Sequence, residues 1–270
     1  MQGPIAQALA LTCVGNSFLR GRDVSGFWPD ASVFRFSKTC DFRWVEGERD
    51  QLIAADPMAW FETLRAEGCK GLRLHHAPRA RGPKQTIPAP DRMLVGFVGG
   101  GPAWPIEQVG GGSPVLWQGF DRVGNPRDAD GKIWLNTYLH QGETVPQNLR
   151  ALSMLEITSS LAPVLAEIAT LAAKLEEERF AKRFRSARVV LEASEPAGPS
   201  SDFVHYAPLD AMQLKLLNTV ETTWVFGGMG SWNDVGAPEE LKADYERLSE
   251  ALFALCCDAI CAIANATYAT

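Results

Sequence analysis

Ser231, Asn233 and Asp234 close the segment Trp224–Asp234, WVFGGMGSWND, directly after three glycines and among three large aromatic side chains. A hydroxyl, an amide and a carboxylate at this spacing could hold a polar ligand, or could serve a hydrolase or transferase whose other groups come from distant loops. Glycine-bearing loops displayed on a rigid scaffold often carry function. Two specific chemistries are excluded. Ser231 does not stand in a G-x-S-x-G elbow, and no lysine follows the glycines as a phosphate loop requires. What remains is a glycine-hinged connection, anchored by Trp224, Phe226 and Trp232, that brings Ser231, Asn233 and Asp234 to one place. That place is either a ligand cleft or a packed corner.

The histidines are the other candidates. His75 and His76 end one expected strand, His140 ends another, and His205 falls in a loop. Strand-end histidines could share a metal or act as acid and base. The chain contains no H-E-x-x-H or H-x-H, and no carboxylate stands close to the His75–His76 pair in sequence, so surface or core histidines are the better reading. The glycine runs at 99–101 and 110–112, each followed by proline and tryptophan, could form anion nests but read better as strand connections. Cys257 and Cys261 share a helix face with apolar neighbours, which suits buried thiols rather than thiolates. Nothing in these patterns calls for a cofactor or a metal.

Composition narrows the classes further. The chain has 270 residues, 46% of them apolar and 21% charged, enough to bury a sizeable core. A net charge of −6 argues against nucleic-acid partners, whose recognition needs a basic excess. The opening MQGPIAQALALTCVG has no basic start and only a short apolar run, so no signal peptide is expected. No uninterrupted apolar stretch reaches a spanning length, so no membrane role is expected either. Six cysteines without zinc or disulfide spacing suit a reducing, cytoplasmic setting. Eighteen arginines against eight lysines, with abundant alanine, suit a GC-rich bacterial source.

The elements that would position these groups divide the chain in two. Alternation predicts strands over 32–39, 41–46 and 70–76, then 93–98, 115–123 and 132–140. Asp56-Pro57 opens a helix that stops at Gly68. Residues 77–90 are proline-rich and basic, and read as loop. Short links imply antiparallel neighbours and a meander of five to seven strands. From 145 onward the period is helical: 148–160, 163–193 with a break or restart at Pro163, 209–223, and a last helix after Pro238. On that last helix Leu241, Tyr245, Leu248, Leu252, Leu255, Ala259 and Ala262 form one apolar stripe. Phe180, Phe184, Ala187 and Leu191 should face inward, and Glu178 should pair with Lys182. The expected fold is α+β. A β-rich segment 1–143, mainly an antiparallel meander, is packed by helices from 144–270 in a single domain, with a split into two domains near 144 as the alternative.

WVFGGMGSWND, followed by a long helix containing Tyr-Glu-Arg-Leu-Ser (245–249), resembles the C-terminal part of a group of uncharacterised bacterial proteins. The resemblance is confined to that part of the chain and transfers no catalytic residue. The expected function is a non-catalytic binding or interaction protein, able to neutralise or scaffold a protein partner or to hold a small polar ligand. Its candidate binding residues are Trp224, Ser231, Trp232, Asn233, Asp234, His75 and His76. The nearly all-apolar second half of the last helix could be buried on several sides or pair two copies as a homodimer. The alternative is the hydrolase or transferase with a loop-assembled site.

Overall fold

The computed structural model describes residues 1, 3–77, 89–111, 115–140 and 152–269, with Ala269 described by its backbone alone. The fold is α+β. In chain order the elements are α1 (Gly3–Leu19), α2 (Phe27–Asp30), β1 (Ser37–Glu46), β2 (Arg49–Ala54), α3 (Pro57–Ala66), β3 (Gly71–Leu74), α4 (Asp91–Leu94), β4 (Ile106–Val109), β5 (Val115–Val123), β6 (Trp134–His140), α5 (Met154–Lys174), α6 (Glu178–Glu192), α7 (Ala211–Thr223) and α8 (Glu239–Ala269).

Six strands form one sheet in the order β2-β1-β6-β5-β4-β3. Strands β3 to β6 make an antiparallel meander of four strands rather than the five to seven expected, and β4 in it stands where no strand was predicted. The β1 strand departs from it, because it pairs parallel with β6. A parallel neighbour needs a long crossover, which the chain supplies by passing through α3 to the far edge and then returning along the meander. One strand, β1, replaces the two predicted over 32–39 and 41–46, with Ser32–Phe34 forming a 3-10 turn before it. The β2 strand, a charged edge strand of exposed Arg49, Asp50 and Gln51, offers no apolar alternation and was not anticipated.

Helix α1 was also not anticipated. It is apolar nearly all round, so it has no periodic stripe to read, and it runs through the core with Leu9, Ala10, Leu11, Cys13 and Val14 fully buried. Gly15 lets it lie against the sheet: a Cβ there would stand 2.5 Å from Leu72 Cδ1 and 2.9 Å from the Phe61 ring. One residue on, Asn16 faces the outer edge of β3, accepting from the Leu72 amide (2.6 Å) and donating to the Leu72 carbonyl (3.0 Å). Asn265 of α8 does the same for Leu74, at 2.7 and 3.0 Å. Two side-chain amides thus stand where a seventh strand would pair, a direct way of closing a sheet edge.

The segment 93–98, expected as a strand, is instead the end of α4 and a turn. Asp91 after Pro90 starts a short helix, and the glycines from 96 onward carry the chain out of extended geometry. Residues 141–151, including the start of the helix predicted at 148, lie outside the described residues. Helix α5 begins at Met154 with a capping box, the Ser153 hydroxyl accepting from the Glu156 amide while the Glu156 carboxylate accepts from the Ser153 amide. Pro163 lies inside α5 and does not end it. The break falls at Leu175–Glu177, where Glu176 adopts φ 57° and α6 turns back, a reversal with neither glycine nor proline to announce it. Phe180, Phe184, Ala187 and Leu191 face inward as expected. Glu178 pairs with Arg185 rather than Lys182.

Helix α8 carries the predicted stripe, and one side of its second half is buried, with Leu252, Phe253, Cys256, Cys257, Ile260, Ile263 and Ala264 at or below 4% exposure, while Ala254 is exposed and Leu255, Cys261 and Ala262 are half-buried. That half packs on α1, α7 and β3 of the same chain, and the helix also lies along α5. By length and composition α5 and α8 are both apolar enough to cross a membrane, a test that buried core helices also pass. On the sheet face under α1 and α3, Phe42 stacks on Trp60 at 4.1 Å and on Tyr138 at 5.1 Å. The opposite face carries a cross-strand polar network in which Arg43 binds Asp50 (2.7 Å) and Asp41 (3.0 Å), and Thr137 donates to Asp41 (2.6 Å).

Candidate binding site

The glycine segment begins where α7 ends. The Trp224 amide still donates to the Val220 carbonyl at 2.8 Å, and the chain then turns extended. Eight residues later the Trp232 amide donates back to the Val225 carbonyl at 3.0 Å, closing a loop. Gly227, Gly228 and Gly230 have φ of 79°, 85° and 72°, a region costly for side-chain-bearing residues, so the loop needs its glycines to reverse. Met229 stands at its tip, fully exposed.

Past the reversal the polar residues are consumed by structure. The Asp234 carboxylate accepts from the Ser231 amide at 2.9 Å and from its hydroxyl at 3.4 Å, capping a 3-10 turn over Trp232–Asp234. Trp232 is completely buried between Phe180 and Phe184, whose rings meet it edge-on at 5.2 and 5.3 Å, and Tyr245 at 5.2 Å. Its indole N–H donates to Ser249 Oγ at 2.7 Å and its carbonyl accepts from Tyr245 Oη at 2.5 Å. Burial pushes the Tyr245 hydroxyl up to about 12, so it remains a donor throughout the neutral range.

Asn233 reaches across to α4. It donates to the Arg92 carbonyl at 2.6 Å and accepts from the Arg92 guanidinium at 3.1 Å. Arg92 is 1% exposed. Its charge is met by Glu246 and Glu250, one turn apart on α8, with Nε 3.3 Å from Glu250 at ion-pair distance but outside hydrogen-bond geometry. The pair binds α4 to the last helix through the glycine segment. Nothing in the sequence marks Arg92 for this, since an isolated arginine beyond a proline-rich stretch reads as solvated.

Backbone contact reinforces the junction. A Cβ on Gly96 would stand 2.8 Å from Gly227 Cα and from the Gly228 amide nitrogen, so the turn after α4 lies directly on the glycine loop. That turn displays Phe97 and Val98, 71% and 62% exposed. Two touching loops therefore present Phe97, Val98 and Met229 to solvent.

Beside Met229 a wide-mouthed cavity of about 340 Å³ opens between the glycine loop and α6, lined by Phe180, Arg183, Trp224, Val225, Phe226, Gly227, Met229, Gly230, Ser231 and Met1. Arg179 fixes its rim by donating to the Gly230 carbonyl at 3.0 Å, and Arg183 Nε donates to the Thr222 carbonyl at 2.5 Å. Of the seven residues expected to form the site, Trp224 and Ser231 line this cavity, whereas Trp232, Asn233 and Asp234 lie behind it as support. Arg179, Arg183 and Met229 join it unannounced; an exposed methionine between glycines was the one available signal.

The histidines stand elsewhere. His75 Nε2 meets Glu107 at 2.7 Å, His76 Nε2 meets Asp258 at 2.9 Å, and His140 lies between Trp44 and Trp117 in the aromatic cluster. Both carboxylates are far from the pair in sequence, so the spacing could not foretell them. None of these histidines lines the cavity. Among the described residues no group of three or more His, Cys, Asp or Glu could hold a metal. The glycine runs are packing devices where described: a Cβ at Gly100 would strike the Leu94 carbonyl, and one at Gly111 would lie 2.5 Å from that of Glu67.

No protein-family model matches the chain, and no curated protein or solved structure matches it.

Proposed function

We propose that this chain is a non-catalytic binding protein, and that its partner-facing surface is the edge formed by the Gly96 turn and the glycine loop. The supporting observation is the contact of Gly96 with Gly227 and Gly228, which holds exposed Phe97, Val98 and Met229 on adjoining backbone. Exposed apolar side chains grouped on a supported surface are what protein partners bury. The polar residues best suited to chemistry, Asn233 and Asp234, are occupied in holding that edge in place. A protein partner is the reading, in a neutralising or scaffolding role. The side of α8 that carries Leu252, Cys256, Ile260 and Ile263 is covered within its own chain, so a homodimer through α8 would use its exposed and half-buried positions such as Ala254, Leu255 and Ala262.

Co-purification from the native host tests this. The wild-type chain should retain a partner that Phe97→Glu loses, with unchanged circular dichroism. Equal recovery by both chains would contradict it.

One observation favours the alternative of a hydrolase or transferase. The His76–Asp258 pair is partly exposed, at 26% and 28% of its side-chain surface, and resembles an oriented base. The thiols flanking Asp258 on α8, Cys257 and Cys261, are poor nucleophiles, because burial holds both well above the usual thiol range. Hydrolysis of a generic ester panel that disappears in His76→Ala would favour this second reading.

A further inference from the structure

We infer that the cavity beside the glycine loop is a site for a carboxylate carried on an aromatic or aliphatic group. The inference rests on the binding-protein reading and specifies what one part of that surface recognises. Its volume, about 340 Å³, falls in the range of about 300–1,000 Å³ typical of small-molecule pockets. Phe180, Trp224 and Phe226 give it an apolar wall. Three features give it a preference for negative charge.

The amides of Gly227, Met229 and Gly230 donate to no acceptor among the described residues, and the positive φ values at 227, 228 and 230 expose successive N–H groups at the turn. Arg183 lines the same cavity. Its Nε is tied to the Thr222 carbonyl, which fixes the guanidinium while leaving its Nη groups available. Among the described residues Arg183 has no carboxylate within ion-pair distance, whereas Arg185 and Arg188 on the same helix are each paired. Arg179 adds a second positive charge at the rim, with Glu177 at 3.5 Å as its partner. A guanidinium beside free amides is the arrangement that binds a carboxylate by charge-assisted hydrogen bonds.

The carboxylate could belong to a free small acid or to the C-terminus of a peptide. The test titrates the full-length, 15N-labelled chain with 3-phenylpropionate, with 3-phenylpropionamide, and with the tripeptide Ala-Ala-Phe in free-acid and amidated forms. The expected result is a saturable shift of the Gly227, Met229 and Gly230 amide signals with an acid. The matching amide should bind about tenfold more weakly, in keeping with the loss of a charge-assisted contact. Arg183→Gln should weaken the acid by a similar factor and leave the amide unaffected. Tighter binding of the tripeptide acid assigns the site to a protein C-terminus, and tighter binding of phenylpropionate assigns it to a small acid. Should Arg183→Gln fold poorly, the comparison of acid with amide in the wild-type chain decides alone. No saturable shift with either acid, or equal binding of acid and amide, overturns the inference. Neither result touches the partner-capture experiment with Phe97→Glu, so the two claims can fail separately.

Discussion

Asn233 holds Arg92 at both its main chain and its side chain, donating to the carbonyl at 2.6 Å and accepting from the guanidinium at 3.1 Å. Because Arg92 is buried, removing this amide leaves a buried carbonyl and part of a buried cation unpaired. Asn233→Ala should therefore lower unfolding stability by about 1–3 kcal/mol, the cost of stranding such groups. Urea midpoints at constant m-value measure it. Glu246→Gln, at a side chain 53% exposed, should cost less.

Trp232 depends on Ser249 in the same way. The indole N–H has no water to turn to, so Ser249→Ala should cost about 1–3 kcal/mol. The double variant Trp232→Phe/Ser249→Ala should cost less than the sum of the two single changes, since the phenyl ring removes the unpaired donor. Additive losses would show that the bond contributes nothing.

Asn16 and Asn265 should govern the edge of β3. Each satisfies one amide and one carbonyl of the strand, so Asn16→Ala should destabilise by about 2–4 kcal/mol, counting two stranded backbone groups. Hydrogen exchange reads the location: the Leu72 amide should lose protection in Asn16→Ala, and the Leu74 amide in Asn265→Ala.

The thiols set a limit at high pH. Burial raises Cys13 and Cys256 to about 12 and raises Cys40, Cys69, Cys257 and Cys261 as well. The folded chain thus keeps these protons where the unfolded chain has already released them. Stability should be fully present below pH 9, the ordinary value for these thiols, and fall steadily as pH rises from 9 toward 12. Urea unfolding at a series of pH values follows the decline. At pH 8 a thiol reagent should label the native chain far more slowly than the unfolded one.

Legibility in the sequence followed periodicity. Helix α3, with Asp56 as its cap, and the stripe of α8 were written in spacing and capping, and so were β5 and β6. Helix α1 was hidden because a core helix buried on every side has no polar face, and β2 because an edge strand can be charged. The turn at Glu176 carries no breaker residue. At the candidate site the glycine reversal and the support by Trp232 were readable from residue types. The roles of Asn233 and Arg92 were not, because 141 positions separate them and only the folded chain brings them together. The same holds for Gly96 and Gly227, whose contact is between backbones and leaves no side-chain signature.

Photo-crosslinking from position 229 in the native host tests the partner-facing edge most directly. A photoreactive methionine analogue at Met229 should yield a discrete adduct with one partner protein, and Phe97→Glu should abolish it. The control is the same chemistry at Val189, an exposed apolar position on α6 at 69% exposure. An adduct at 229 absent from 189 is the predicted result. Equal labelling at the two positions, or no adduct at 229, would contradict the assignment of this edge as a binding surface.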